Sequence, residues 1–216
     1  MKKISLFVLF VLMIVNAFAQ DEPVRKKFDL RFGAGWSLLG TGDLGAVNFE
    51  NEFNFKFSRY FTASASFNFG RVASEREDIF TAYYVDASGN VVNSSTTVFN
   101  WPHYGTFLQG NMNIFISPFR NNRMNDLRIG AGISVYNMAE AYVQAYSSVP
   151  EDWKPVYGDY FVFWEDDKRT SFGWNIIIED TFTIKEKFLI GVKAFTQPYM
   201  NGDINSGFMG KVGYIF

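Results

Sequence analysis

Phe208-Met209-Gly210-Lys211-Val212-Gly213-Tyr214-Ile215-Phe216 is the stretch whose reading decides the fold. Apolar side chains at 208, 212, 214 and 216 alternate with others, and the stretch ends on an aromatic. A period of two belongs to a β-strand whose two faces meet different surroundings.

The same period recurs upstream. A first strand, Phe28 to Leu38, places Phe28, Leu30, Phe32, Ala34, Trp36 and Leu38 on one face and Asp29, Arg31, Gly33, Gly35 and Ser37 on the other. A second, Val47 to Phe57, sets Val47, Phe49, Phe53, Phe55 and Phe57 against Glu50, Glu52, Asn54 and Lys56, with Asn51 as an exception on the apolar side. A third runs from Phe61 to Phe69, a fourth from Tyr104 to Ile116, a fifth from Leu127 to Asn137, a sixth from Phe172 to Ile184, and a seventh begins at Phe188. Asp180 interrupts the apolar face of the sixth, which predicts a membrane-interface position or a β-bulge there.

Three short connections, 58–60, 117–126 and 185–187, separate longer segments at 39–46, 70–103, 138–170 and 197–206. Eight strands with three turns and four loops predict an all-β, antiparallel up-and-down transmembrane barrel. Such barrels carry short periplasmic turns and longer extracellular loops, so the four longer segments are expected outside the cell.

The N-terminal residues point to the same compartment. Met1, Lys2 and Lys3 form a positive region, Ile4 to Val15 an apolar run, and Ala17-Phe18-Ala19 a small-x-small cleavage site. Residues 1–19 therefore read as a signal peptide, and residues 20–216 as a single barrel domain. An N-terminal anchor is the alternative, but the run is short of the ~20 residues a spanning helix needs. No second long apolar run follows, so only a barrel would place the mature chain in a membrane.

Composition agrees. The chain holds 25 Phe, 11 Tyr, 5 Trp and 18 Gly with no Cys, which leaves neither a disulfide framework nor a thiolate site. A formal charge of −2 argues against nucleic acid as a partner, because that would call for a basic face.

On these residues the chain resembles the small eight-stranded outer-membrane barrels of Gram-negative bacteria, the group containing the OmpA transmembrane domain and OmpX. The resemblance covers nearly all of residues 20–216. It implies residence in the outer membrane, contact with lipid and lipopolysaccharide, and recognition of the last strand by the barrel-insertion machinery through Phe216, Tyr214, Val212 and Phe208. Nothing resembling a peptidoglycan-binding domain follows Phe216, so cell-wall tethering is not expected.

A soluble lipocalin-like barrel would share the strand count and the signal peptide while turning its apolar face inward around a ligand. Alternation alone does not choose between the two. Aromatics gathered at strand ends (Phe28, Trp36, Phe57, Phe61, Phe172, Trp174, Phe188, Tyr214), an almost charge-free face and alternating loop lengths favour lipid outside. The inward face then carries Asp29, Arg31, Glu50, Glu52, Lys56, Arg128, Glu179, Lys193 and Lys211, four acids and five bases able to pair. A lumen of this size is filled by side chains, so a plugged interior is expected over an ion path.

No catalytic or cofactor-binding residue is assigned. Lipid A deacylases of this class use a His with a Ser two positions along; here the single His, His103, is followed at that distance by Gly105. Lipid A palmitoyltransferases carry an amphipathic helix before the first strand, and Gln20 to Phe28 leaves no room for one. Ser94, Ser95 and Asp86 share a segment with His103, but nothing in the sequence brings them together.

Two long segments remain. The stretch from Ile79 to Trp101 reads as two β-rich runs about Ser88-Gly89-Asn90, which predicts a continued hairpin. The 138–170 segment mixes aromatics with acids, material suited to an extracellular protein or glycan, although packing of these rings on one another is the plainer account. Glu151, Asp152, Asp159, Glu165, Asp166 and Asp167 could offer oxygens to calcium but lack EF-hand spacing, so no metal site is assigned. The function expected is that of a non-enzymatic outer-membrane barrel with surface-interacting loops.

Overall fold

The structure is a computed structural model that describes residues 28–40, 44–85, 88, 91–118, 125–148 and 160–216. The eight strands are β1 (Phe28–Leu39), β2 (Leu44–Lys56), β3 (Phe61–Val85), β4 (Val91–Ile116), β5 (Asn125–Ser148), β6 (Tyr160–Ile184), β7 (Phe188–Pro198) and β8 (Ile204–Ile215). Each pairs with the next and β8 returns to β1, closing the barrel. Along β1, Arg31 opposes Glu52 of β2 on one side and Gly213 of β8 on the other. The Phe216 N–H donates to the Phe28 carbonyl at 2.9 Å and extends this seam. Closure removes the unpaired edges that an open sheet would leave.

The all-β, eight-stranded antiparallel up-and-down architecture is as the sequence predicts. The expected signal peptide, residues 1–19, lies outside the described residues. Among the described residues no helix is long and apolar enough to cross a membrane.

Two expectations about the connections need correction. β4, β5 and β6 are about twice, and β3 nearly three times, as long as the apolar alternation indicates, so much of 70–103 and 138–170 is strand rather than loop. The hairpin foreseen within 79–101 forms in β3 and β4, whereas the matching extension of β5 and β6 was not foreseen. Connection lengths consequently do not alternate: 117–124, on the turn side, is longer than 40–43, 86–90 and 199–203. Backbone pairing continues where hydrocarbon no longer demands apolar side chains at alternate positions, so the sequence signal fades before the strand does.

By its contacts the chain divides into two compact units. One comprises residues 1–70, 107–137 and 170–216, and the other residues 71–106 and 138–169. The first contains all of β1, β2, β7 and β8. At its turn end β6 passes to β7 through Lys185 and Glu186, both with positive φ (50° and 57°), and the Lys187 N–H donates to the Ile184 carbonyl at 3.2 Å. This is the mirror-image turn that suits strand twist, built here without the Asn-Gly that favours it. Asp180 makes no bulge: the register runs unbroken through Glu179↔Lys193, Asp180↔Val192 and Thr181↔Gly191. It sits half-buried, four residues before β6 ends at Ile184.

Candidate functional site: a filled lumen inside an apolar belt

Period two meets closure with a definite sign in the first unit. Asp29, Glu52, Arg128 and Glu179 are fully buried, whereas Phe32, Met112, Ile133, Ile178 and Val192 are each more than half exposed. The lipocalin-like alternative required the reverse, and the structure overturns it. Nearly charge-free strand faces of this kind match hydrocarbon on the outside.

At the turn end the belt finishes in linked aromatic rings. Phe28 stacks on Phe53 and Phe55 (centroids 5.6 and 5.2 Å), Phe57 on Phe61 (6.0 Å), and Tyr214 meets Phe188 and Phe216 edge-on (5.5 and 5.4 Å). Trp36 and Phe208 approach to 6.4 Å towards the other end of β1 and β8, and Phe172 and Trp174 are exposed there on β6. Aromatic rings at both borders, with Tyr214 at one and Trp36 and Trp174 at the other as the amphipathic members, are the girdle arrangement expected of such a belt.

Successive inward positions form layers. On β6, β7 and β8 the order from the turn end is charged, then apolar, then amide: Glu179, Ile177, Asn175; Lys193, Phe195, Gln197; and Lys211, Met209, with Asn205 beyond Gly207. All nine expected inward charges are buried.

The charges form one network. Arg31 bonds to Asp29 (2.6 Å) and to Glu179, and Arg128 binds Glu179 (2.9 Å) as well as Glu52. Lys193 binds Glu50 at 2.6 Å, while Lys211 reaches Glu50 and Glu52 at 2.8 Å and Glu179 at 3.3 Å. Lys56 lies 3.4 Å from Asp29. Asn54 donates to Asp29 and Glu52 and accepts from Arg128 at 2.8 Å. Charges taken from water are tolerated only when paired and hydrogen-bonded, and each of these has an opposite charge within 4 Å.

Against this layer lies a septum of Phe115, Ile177, Phe195 and Met209. The Arg128 guanidinium rests 3.9 Å above the Phe115 ring, so the septum is capped by cation–π contact. Glycines opposite make the room. A Cβ at Gly130 would strike the Phe115 ring, and one at Gly33 would come to 2.8 Å from the Met209 sulfur.

Beyond the septum is an amide layer. Gln109 donates to Asn111 (2.6 Å) and Gln197 (2.7 Å), Asn205 donates to Gln109 (3.2 Å) and Gln197 (3.1 Å), and Asn175 donates to Asn113 (2.6 Å). Tyr136 and Tyr199 pack at 4.3 Å beyond it, with the Tyr136 hydroxyl donating to Asp203. A lumen blocked in turn by ion pairs, apolar groups and amides has the character of a plug.

In the second unit, His103 belongs to β4 rather than to a loop. Its Nε2 lies 3.6 Å from a Glu140 oxygen and its ring packs on Tyr142 at 5.5 Å. Arg169 donates to the same Glu140 (2.7 Å) and pairs with Asp167 (3.3 Å), and the Tyr142 hydroxyl donates to Glu165 (3.2 Å). Burial and the Glu165 carboxylate push the Tyr142 phenol above its ordinary range. Of the residues weighed with His103, Asp86 and the Ser94 and Ser95 side chains lie outside what is described. Glu151, Asp152 and Asp159 do as well, and among the described residues no cluster of acids or histidines is poised to hold a metal. The ties among His103, Glu140, Tyr142, Glu165 and Arg169 could not be foreseen, because they depend on β4, β5 and β6 being strands here.

An antiparallel eight-stranded barrel, apolar outside and polar within, is the fold of the small outer-membrane β-barrels. Solved structures bear this out. Ail, the attachment invasion locus protein of Yersinia pestis, superposes with a TM-score of 0.51 at 10% identity, covering 88% of this chain and 99% of Ail. OprG from Pseudomonas aeruginosa gives 0.52 at 9% identity over 88% and 96%. A major outer membrane protein of Thermus thermophilus gives 0.51 at 8% identity over 89% and 100%. No family model matches the sequence, and no curated protein matches it. The resemblance drawn from the sequence thus holds at the level of fold.

Proposed function

We propose that the protein is an integral barrel of the bacterial outer membrane, non-conducting and non-enzymatic, whose extended hairpins meet partners at the cell surface. The observation that carries this reading is the pairing of a charge-matched, septum-filled lumen with an exposed apolar belt. Such a barrel offers a substrate neither a channel nor a cavity. The side with turns 57–60, 117–124 and 185–187 then faces the periplasm, residues 1–19 are removed on export, and the outward face of β8 (Phe208, Val212, Tyr214) is the segment offered to the insertion machinery. The one histidine, engaged by Glu140 and Tyr142, supports a structural role over a catalytic one.

The surface-interaction part rests on the second unit. Phe163 and Trp164 are consecutive on β6 and both more than half exposed, so both faces of that stretch present an aromatic ring. Ail has been solved in complex with the heparin analogue sucrose octasulfate. Residues 71–106 and 138–169 of this chain hold eleven acids and five bases, which would repel a sulfated polyanion. An uncharged glycan or a basic protein surface suits these segments better.

Two measurements test the proposal. Gel mobility of the outer-membrane fraction should change on boiling, as an inserted barrel resists detergent until heated. Reconstituted protein should leave a planar bilayer non-conducting. Recovery from the periplasm without detergent, or a stable large conductance, would refute it.

A further inference from the structure

The belt is not evenly filled. Along β3 the outward positions run Phe61, Ala63, Ala65, Phe67, so two methyl groups stand where aromatic rings precede and follow. The result is a trough of about 480 Å³, floored by Ala63 and Ala65, bordered by Phe53 and Phe55 of β2 and by Met112 and Ile114 of β4, and continued as far as Ala131 and Ile133 of β5. The matching row on β6 is Ile176, Ile178, Asp180 and Phe182, with exposed, bulky apolar side chains at three of its four positions.

We infer that this trough holds one acyl chain of a glycerophospholipid, retained when the surrounding lipid exchanges. The inference rests on the belt facing lipid, as proposed above, since the trough is continuous with that surface. Its occupant must be apolar. The two polar residues behind it turn inward, where Asn113 donates to Ser64 at 3.3 Å, and so offer the trough no hydrogen bond. It must also be elongated, because the trough runs from Phe55 of β2 across β3 and β4 to Ala131 and Ile133 of β5. In hydrocarbon there is no hydrophobic gain on binding, so retention comes from dispersion contact on three sides instead of one.

The trough also has a charged end. Phe55 is next to last in β2 and Ala63 is near the start of β3, so the slot opens towards the 57–60 turn, which carries Arg59 with its guanidinium 5.5 Å from the Tyr60 ring centroid. A cation at the membrane border beside an acyl slot fits a lipid whose phosphate sits at that depth. With the turns facing the periplasm, this is the periplasmic leaflet.

The test is native mass spectrometry of the full chain in mild detergent with palmitoyl-oleoyl phosphatidylethanolamine. The wild type should keep one lipid under conditions that strip the rest. Ala65→Phe, which fills the floor, should weaken retention about tenfold or more, equivalent to about 1.4 kcal/mol, and Arg59→Gln should weaken it to a smaller degree. Should Ala65→Phe fail to fold, Ala65→Cys supplies a single thiol in a chain that has none, and a benzyl group can be attached after folding. Equal lipid retention by wild type and filled variant overturns the inference. Efficient disulfide-linked dimers of Ala65→Cys overturn it also, since the occupant would then be a second copy. A heat-dependent gel shift retained by every variant separates this failure from failure of the barrel itself.

Discussion

Replacing Glu179 by Gln tests whether the lumen charges behave as one balanced set. Four acids and five bases give the layer a net charge of +1, and Glu179 receives Arg31, Arg128 at 2.9 Å and Lys211 at 3.3 Å. Glu179→Gln keeps the shape but raises the net charge to +2 and leaves three buried cations short of a partner. Breaking a buried pair from one side costs roughly 3 to 5 kcal/mol, a large share of the ~5 to 15 kcal/mol that holds a domain folded. Lys211→Met removes the cation shared by Glu50, Glu52 and Glu179 and should also destabilise. Together the two changes restore +1. The double variant should therefore be more stable than the sum of the singles predicts, by about 1 kcal/mol or more. Equilibrium urea unfolding from phospholipid vesicles, followed by tryptophan fluorescence, measures all four proteins. Additivity within about 0.5 kcal/mol, or a cost below about 1 kcal/mol for Glu179→Gln, would refute a coupled network.

Other parts of the structure give separate expectations. Phe115→Ala, at a fully buried septum position beneath Arg128, should lose about 3 to 5 kcal/mol in the same unfolding assay. Ile178→Arg, on the exposed face of β6, should cost about 2 to 4 kcal/mol in a bilayer, and an effect near zero would mean that this face does not meet hydrocarbon. Glu186→Gly relieves a left-handed residue in the β6–β7 turn and should stabilise by about 0.5 to 1 kcal/mol, seen as a higher urea midpoint.

Much of the first unit was legible in the sequence because its signal is local. Asp29, Arg31, Glu50, Glu52 and Lys56 alternate with Phe28, Phe32, Phe49, Phe53 and Phe55, and period two assigns each to a face without reference to any other strand. The extended parts of β5 and β6 were not legible. Around Tyr142 and Glu165 neither face must be apolar, so pairing leaves no regular mark on composition. Asp180 carried a signal with two readings, an interface position or a bulge: the regular register beside it excludes the bulge and leaves the position near the turn end. Connection length misled, since it was inferred from where alternation stopped rather than from where hydrogen bonding stopped.

The sequence by itself determined that this chain forms strands, where the lower ends of those strands lie, and which residues share a face. Only the tertiary structure decided which face is inside, because alternation reads the same when turned inside out and closure into a ring gives it a sign. Partners were likewise decided in three dimensions. Glu179 meets Arg31, 148 positions away, because the ring of strands brings both into one lumen. The septum exists for the same reason: Phe115, Ile177, Phe195 and Met209 are scattered along the chain, and the curvature that packs them opposite glycines such as Gly33 and Gly130 belongs to the barrel and to no single strand.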